Sequence, residues 1–134
     1  MKKVKVVTSF LECDGKILIL RRSDKVRTMK HKWAGISGYL EGDEDPLERA
    51  YREIEEEVGL TRSDLKLMKT AEPLEATDKE HDTIWIVRPH LFKALSAEIK
   101  LDWEHDQYRW INPNDIAGYE TVQMLKETLQ RCLC

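Results

Sequence analysis

Three glutamates with helical spacing carry the clearest chemistry in this sequence. Glu53, Glu56 and Glu57 stand at i, i+3 and i+4, so a helix would place their side chains on one face. Three like charges so close together destabilise a helix unless a cation lies among them. Mg2+ takes carboxylate oxygens as ligands and retains several waters, so it suits such a face. The same pattern is also typical of a solvated acidic surface, and the spacing alone leaves both interpretations open.

The residues on either side of these glutamates predict the helix itself. Asp45 is a good N-cap, Pro46 suits the first helical position, and Glu48 can complete a capping box. Gly59 is the matching stop, because glycine readily adopts the left-handed conformation after a last turn. The predicted helix therefore has about a dozen residues. Its apolar stripe consists of Leu47, Ala50, Ile54 and Val58.

A longer pattern surrounds the helix. Five residues separate Gly38 from Glu44, and seven separate Glu44 from Arg52. The complete set of specified positions is Gly38, Glu44, Arg52, Glu53, Ile54, Glu56, Glu57, Gly59 and Leu60. This arrangement resembles the Nudix box, G-x5-E-x7-R-E-U-x-E-E-x-G-U with U aliphatic, and every specified position is matched over residues 38–60. The W-E-H and W-I-N-P segments at 103–105 and 110–113 also resemble segments that follow the box in many Nudix proteins.

The resemblance implies a fold. We expect one domain over residues 1–134 of the α/β class, in the form of the Nudix α/β/α sandwich. A mixed, twisted β-sheet would carry the box helix on one side and a C-terminal helix on the other. The length agrees, since 134 residues suffice for one domain with a substantial core and are too few for two ordinary ones.

The resemblance also implies an activity. It predicts a Mg2+-dependent (or Mn2+-dependent) pyrophosphohydrolase that cleaves the diphosphate linkage of a nucleoside diphosphate joined to another group. Glu53, Glu56 and Glu57 would bind the metal, which neutralises phosphate oxygens and lowers the pKa of a bound water. A base must accept the proton of that water. In this family the base differs between members, and here Glu53 and Glu104 are both candidates.

Other residues of the box are expected to support this chemistry. Arg52 would hold one of the carboxylates, Glu44 or Glu56, in place. Gly38 and Gly42 would let the loop turn tightly against the helix. The backbone carbonyl of Gly38, or that of the serine before it, would complete the coordination of the metal.

A basic segment, residues 21–32, precedes the box. It contains six lysines and arginines against a single acid, Asp24. Arg22 stands at the end of a predicted buried strand, and in proteins that resemble this one basic residues near this point contact substrate phosphates. We therefore predict that Arg22 binds a substrate phosphate through its forked guanidinium. Lys25 and Arg27 are expected to be solvated.

Charge and composition exclude several classes of protein. Residues 38–60 contain nine acidic and two basic residues, whereas the remainder contains 16 acidic and 20 basic ones. A concentrated acidic patch suits a metal site for an anionic substrate, and stable nucleic-acid binding is not expected. No apolar run is long enough for a membrane helix. The three cysteines, Cys13, Cys132 and Cys134, form no convincing disulfide or zinc framework, so we expect a cytoplasmic protein.

Periodicity gives the remaining elements. Strands are predicted at 4–13, 16–20, 32–37, 65–71 and 83–95, with a hairpin turn at 14–15, an exposed loop at 72–82 and a C-terminal helix at 121–132. Pro89 predicts a bulge, an edge position or a break in its strand. Trp103, Tyr108 and Trp110 are expected to be apolar anchors.

Two other functions are compatible with parts of the pattern. A non-catalytic nucleotide-sensing module could use the same fold, although it would not need every metal carboxylate. A Nudix-fold isomerase of an isoprenoid diphosphate would need a reactive cysteine, and Cys13 lies in an apolar strand. The expected partner is a nucleotide-type small molecule, with specificity set by residues 21–33, 72–82 and 103–108. A homodimer is compatible with the sequence.

Overall fold

The computed structural model describes residues 1–133, which form eight β-strands and two α-helices. Two 3-10 turns lie at Arg62–Asp64 and Pro113–Gly118. The strands are β1 Lys2–Cys13, β2 Lys16–Arg22, β3 Trp33–Ala34, β4 Ile36–Tyr39, β5 Leu65–Thr70, β6 Leu74–Asp78, β7 Thr83–Ala94 and β8 His105–Ile111. The helices are α1 Pro46–Val58 and α2 Leu125–Leu133. Neither helix within residues 1–133 is both long and apolar enough to cross a membrane.

The strands form one mixed sheet. Its main path runs β3-β2-β1-β7-β5, while β4 pairs with β1, β6 with β7 and β8 with β2. The pairing of β1 with β7 is parallel, and the other pairings are antiparallel. The β1–β2 hairpin turns at Asp14 and Gly15, whose φ angles of 52° and 79° are those of the predicted tight turn.

The two helices cover opposite faces of the sheet. Leu18 and Leu20 of β2 pack in the cluster that contains the apolar side of α1. Ile17 and Ile19 alternate with them and pack in the cluster that contains α2. A strand buried on both faces explains the nearly continuous apolar sequence of β2. The predicted α/β/α sandwich with a mixed sheet is thereby confirmed.

Helix α1 has the predicted ends. The Asp45 side chain accepts a hydrogen bond from the Leu47 N–H at 3.2 Å, and Gly59 has a left-handed φ of 80°. The predicted capping box is not formed, because the Glu48 carboxylate pairs with the Arg62 guanidinium instead. Full burial of three stripe residues confirms the predicted core-facing side; these are Ala50, Ile54 and Val58.

The predicted exposed loop at 72–82 is wrong in part, because it contains strand β6. Leu74 and Ala76 of β6 are buried and alternate with exposed residues, as β6 pairs with β7. Pro73 and the neighbouring charges obscured this short alternation. Pro89 lies within a continuous β7, between the part that pairs with β6 and the part that pairs with β5. Its carbonyl accepts from Ala71, so the missing N–H faces the gap between those two partner strands.

The C-terminal region differs in detail from the prediction. Helix α2 begins at Leu125 rather than at residue 121, after Met124 with its positive φ of 68°. Trp103 and Tyr108 are 61% and 41% exposed, so the prediction of apolar anchors there is wrong. Strand β8 pairs with β2 alone within residues 1–133, which leaves most of its side chains outside the core. Cys134, which the sequence analysis considered with the other cysteines, lies outside the described residues.

A buried polar pair lies beneath the start of α1. Ser9 of β1 and His90 of β7 are neighbours in register, and both are at most 2% exposed. Within the described chain, Ser9 Oγ and His90 Nδ1 have no hydrogen-bond partner. Burial lowers the pKa of His90, while the charges of Asp45 and Arg88 act on it in opposite directions.

Candidate active site

The three glutamates of α1 share one face but differ in burial. Glu57 is 3% exposed, Glu53 is half-buried and Glu56 is exposed to solvent. The difference arises because Glu57 turns toward β8, whereas Glu56 lies on the outer side of the helix. The acidic face is therefore not simply a solvated surface.

Glu57 is an unusual carboxylate. Burial raises its pKa well above the ordinary value, and the negative charges of Glu53, Glu104 and Asp102 raise it further. A carboxylate in such a place is destabilised in its ionised form unless a positive charge is supplied. The structure thus brings Glu57 and Glu104 into electrostatic contact across α1 and β8.

Glu53 is positioned by the strand next to α1. The side chain lies against Gly38 of β4, so closely that a Cβ on Gly38 would be 2.3 Å from Glu53 Cδ. Burial raises the pKa of Glu53, as does the charge of Glu56, while the Arg49 guanidinium opposes that rise. Glycine at position 38 is needed for this close approach rather than for a turn. Gly42 has the positive φ of 55° that a tight turn requires.

Arg49 was not among the site residues predicted from the sequence. Its guanidinium holds Glu44 through two contacts, Nη2 to Oε2 at 2.8 Å and Nε to Oε1 at 2.9 Å. The same group lies 3.5 Å from Glu53 Oε1. These contacts lower the pKa of Glu44. The i, i+4 spacing of Arg49 and Glu53 was the available sequence signal.

Arg52 contributes less to this network. It is largely exposed, and its Nη1 lies 3.6 Å from Glu44 Oε2. Of the two carboxylates named as its partner, the structure places it near Glu44 rather than Glu56. Arg49 occupies the buried side of Glu44, which leaves Arg52 on the solvent side.

His105 was also missed, although it belongs to the W-E-H segment. It is buried at the start of β8, with Nδ1 3.1 Å from Asp102 Oδ1 and Nε2 3.8 Å from Glu57 Oε1. Burial lowers its pKa, against the raising effect of the hydrogen bond with Asp102. His105 therefore connects a loop carboxylate to the most buried carboxylate of α1.

Arg22 lies at the end of β2, next to the start of β8. Its Nε and Nη2 both donate to the Thr28 carbonyl, at 3.2 Å and 3.0 Å. The following residue, Ser23, donates its N–H to the Glu104 carbonyl at 2.8 Å. The Arg22 guanidinium is therefore bound within the basic segment, and its binding of a substrate phosphate stays a prediction.

The donor set suits a hard divalent cation. Burial raises the pKa of Glu53 and that of Glu57, and neighbouring negative charges, among them that of Glu104, raise both further. In residues 1–133 the side-chain atoms form no converged cluster of three or more metal donors. Carboxylate oxygens are the ligands that Mg2+ and Mn2+ prefer, and an added positive charge would offset the repulsion among these side chains.

Known proteins are similar to this chain over nearly its whole length. The NUDIX domain family model matches residues 1–132. The asymmetrical bis(5'-nucleosyl)-tetraphosphatase of Rattus norvegicus is 30% identical over 117 residues, covering 84% of this chain and 75% of the rat protein. The nucleoside triphosphatase NudI of Escherichia coli (strain SE11) is 25% identical over 137 residues, covering 97% and 96%. A crystal structure of a MutT protein from Methanosarcina mazei Go1 has a TM-score of 0.76 and 28% identity, covering 97% and 92%.

Proposed function

Because the chain belongs to the Nudix family and is a hydrolase that acts on pyrophosphate bonds, we propose that it is a Mg2+-dependent (or Mn2+-dependent) pyrophosphohydrolase. It cleaves the diphosphate linkage of a nucleoside diphosphate joined to another group. One observation carries this proposal: a buried carboxylate, Glu57, lies within the electrostatic reach of Glu53 and Glu104. Without a cation, the repulsion among these carboxylates destabilises the folded protein, and a bound cation would offset it.

Three residues, Glu53, Glu56 and Glu57, would hold the metal. When bound, the metal supplies positive charge to the phosphate oxygens and makes a water more acidic. The chain's own residues fix the carboxylates for this purpose. Arg49 and Gly38 restrict Glu53 from two sides. The carbonyl of Ser37 or Gly38 is the proposed backbone ligand.

His105 packs against Glu57. Asp102 fixes the orientation of the imidazole through the hydrogen bond at Nδ1, and this directs Nε2 toward Glu57 Oε1 at 3.8 Å. A side chain that orients a ligand in this way commonly changes metal affinity when it is replaced. We therefore assign His105 and Arg49 as positioning residues, together with the weaker contact of Arg52.

Two carboxylates are proposed for the general base, Glu53 and Glu104. Glu53 has Arg49 beside it, which favours its charged form, although burial raises its pKa overall. Glu104 is half-buried immediately before β8, and its charge acts on both Glu53 and Glu57. Glu53→Gln and Glu104→Gln separate the two, because only the variant without the base loses the acidic limb of the pH–rate profile. Both variants would be assayed at saturating metal, since Glu53 is also a proposed metal ligand.

The relatives support a substrate with a nucleoside and a phosphate chain. The rat protein is named for a dinucleoside tetraphosphate and NudI for nucleoside triphosphates. We propose these two classes as the first substrates to test. Arg22 would hold a phosphate beyond the bond that is cleaved.

A substrate screen tests the proposed function. Nucleoside triphosphates, dinucleoside polyphosphates, ADP-ribose and nucleotide sugars would each be incubated with Mg2+, Mn2+ or EDTA, and the released phosphates measured. We expect turnover of at least one class, only with metal, to a nucleoside monophosphate or its phosphorylated partner product. Tight binding of a nucleotide without turnover in any metal would contradict the proposal and favour a sensing module.

The thiols of Cys13 and Cys132 do not favour the isomerase alternative. Burial raises the pKa of the Cys132 thiol to about 11, so its reactive thiolate is strongly disfavoured. Cys13 packs against the cluster beneath α1. Both are free cysteines, which agrees with the proposed cytoplasmic location. We further propose that the protein is a homodimer and that it does not bind nucleic acid stably. Analytical ultracentrifugation with and without an oligonucleotide tests both points.

A further inference from the structure

Trp103 is a largely exposed aromatic side chain beside the candidate active site. Its relative exposure is 61%, although tryptophan is among the side chains that gain most from burial. The residue lies in the connection between β7 and β8, directly before the start of β8. An exposed indole at this point requires an explanation other than stabilisation of the core.

The backbone beneath the indole is held in place. The Ser23 hydroxyl donates to the Trp103 carbonyl at 2.9 Å, and the Ser23 N–H donates to the Glu104 carbonyl at 2.8 Å. Asp102, on the other side, pairs with buried His105 at 3.1 Å. Trp103 is therefore presented from a fixed backbone, so little ordering is needed when a ligand contacts it.

The neighbours of Trp103 belong to the carboxylate site. Glu104 follows it and acts electrostatically on Glu53 and Glu57, and Asp102 precedes it and acts on Glu57. The backbone of Trp103 is therefore one residue, about 3.8 Å between Cα atoms, from Glu104, and His105, the next residue along the chain, has its Nε2 3.8 Å from Glu57 Oε1. Arg22 and the basic segment adjoin the same backbone through Ser23.

We propose that the Trp103 indole is a stacking surface for the aromatic base of the nucleotide substrate and thereby determines its specificity. This inference rests on the proposed function. A phosphate chain between the carboxylates and Arg22 would place its nucleoside beside Trp103. Every nucleobase has a π-face, so an exposed indole favours base-bearing substrates over bare phosphates without selecting one base.

Another exposed aromatic side chain, Tyr39, lies near the box and provides the comparison. It is 61% exposed, but its ring is already paired with Trp85, with centroids 6.1 Å apart. The Trp85 Nε1 is also occupied, since it donates to Asp78 at 3.3 Å. Within residues 1–133 the Trp103 ring has no such aromatic partner, which favours it as the stacking residue.

Equilibrium binding with two probes tests the proposal. ADP and inorganic tripolyphosphate would be titrated calorimetrically in Mg2+ into the wild type and into Trp103→Ala, Trp103→Phe, Tyr39→Ala and Tyr108→Ala. Tyr108 is an exposed aromatic that lines a separate cavity, and its replacement is the matched control. We expect Trp103→Ala to weaken ADP binding about tenfold and tripolyphosphate binding by less than about twofold. Trp103→Phe should keep most of the affinity, and Tyr108→Ala should change neither.

Tryptophan fluorescence gives an independent readout. ADP should quench the emission of the wild type, and Trp103→Phe should lose that quench while still binding. Equal ADP affinity in Trp103→Ala and the wild type, equal losses for both probes, or a loss in Tyr39→Ala alone would each overturn the proposal. Hydrolysis with unchanged ADP binding in Trp103→Ala would refute the stacking role and leave the hydrolase intact. Weaker ADP binding in Trp103→Ala, together with no turnover by the wild type, would support the stacking role and contradict the proposed hydrolase.

Discussion

Replacing Gly38 by alanine should disturb Glu53 more than it disturbs the fold. A Cβ at position 38 would lie 2.3 Å from Glu53 Cδ and 2.4 Å from its Cγ. Carbon atoms pack favourably at about 3.5–4.0 Å, so the glutamate side chain must move by about 1 Å or more. Arg49 also holds this carboxylate, at 3.5 Å, and the movement breaks that contact geometry. Misplacement of a catalytic group by about 1 Å can cost about a hundredfold in rate, which is the loss we expect in kcat/KM.

Steady-state kinetics on one good substrate, with a thermal melt of each protein, is the assay. Gly118→Ala is the matched control, since a Cβ there meets nothing within 4 Å and Gly118 has no positive φ. We expect Gly118→Ala to keep full activity, and Gly38→Ala to lose activity at a nearly unchanged melting temperature. Full activity in Gly38→Ala would refute the position assigned to Glu53. Loss of the fold in that variant would show that the strand, rather than the side chain, absorbs the clash.

Three further predictions concern stability, substrate binding and pH. Ile54→Ala removes most of a fully buried side chain and should lower the free energy of unfolding by roughly 2–5 kcal/mol. Denaturant titration measures this change, and an unchanged value would mean that α1 is oriented differently. Arg22→Ala should lower kcat/KM more than Lys25→Ala does. A ground-state contact would appear as a higher KM, and a transition-state contact as a lower kcat. Equal small effects in the two variants would place the phosphate contact elsewhere. Burial lowers the pKa of His90 in the folded protein. Below about pH 6.5 the unfolded chain therefore binds more protons than the folded protein, and the free energy of unfolding decreases as the pH is lowered. His90→Leu should melt with a smaller difference between pH 7 and pH 5 than the wild type, and an equal difference would contradict this.

The helix could be predicted because its signals are local, whereas the sandwich was implied by the resemblance of residues 38–60 to the Nudix box. The ends of α1 depend on Asp45 and Gly59, which act within a few residues of their own positions. The burial of β2 on both faces follows from its nearly continuous apolar sequence. The shared face of the α1 glutamates could also be predicted, because helical spacing alone places them together.

The parts that could not be predicted depend on contacts between distant segments. Glu57 is buried because β8 lies against it, and the spacing of the glutamates contains no information about that strand. His105 gains its role from the same contact. The β6 strand was missed because pairing with β7 outweighs its charged sequence. Trp103 looked like a core residue by type, whereas its exposure is decided by the edge position of β8.

The dependence of turnover on Mg2+ concentration tests the central claim most directly. Wild-type protein, Glu56→Gln and Glu57→Gln would be compared on the best substrate, from EDTA to saturating metal. We predict no turnover in EDTA, a saturable rise with Mg2+ in the wild type, and loss of most activity in both variants, which should still fold. Glu57→Gln should melt above the metal-free wild type, because it removes a buried charge from among like charges. Turnover in EDTA, or full activity in both variants, would contradict the assignment of α1 as the metal site.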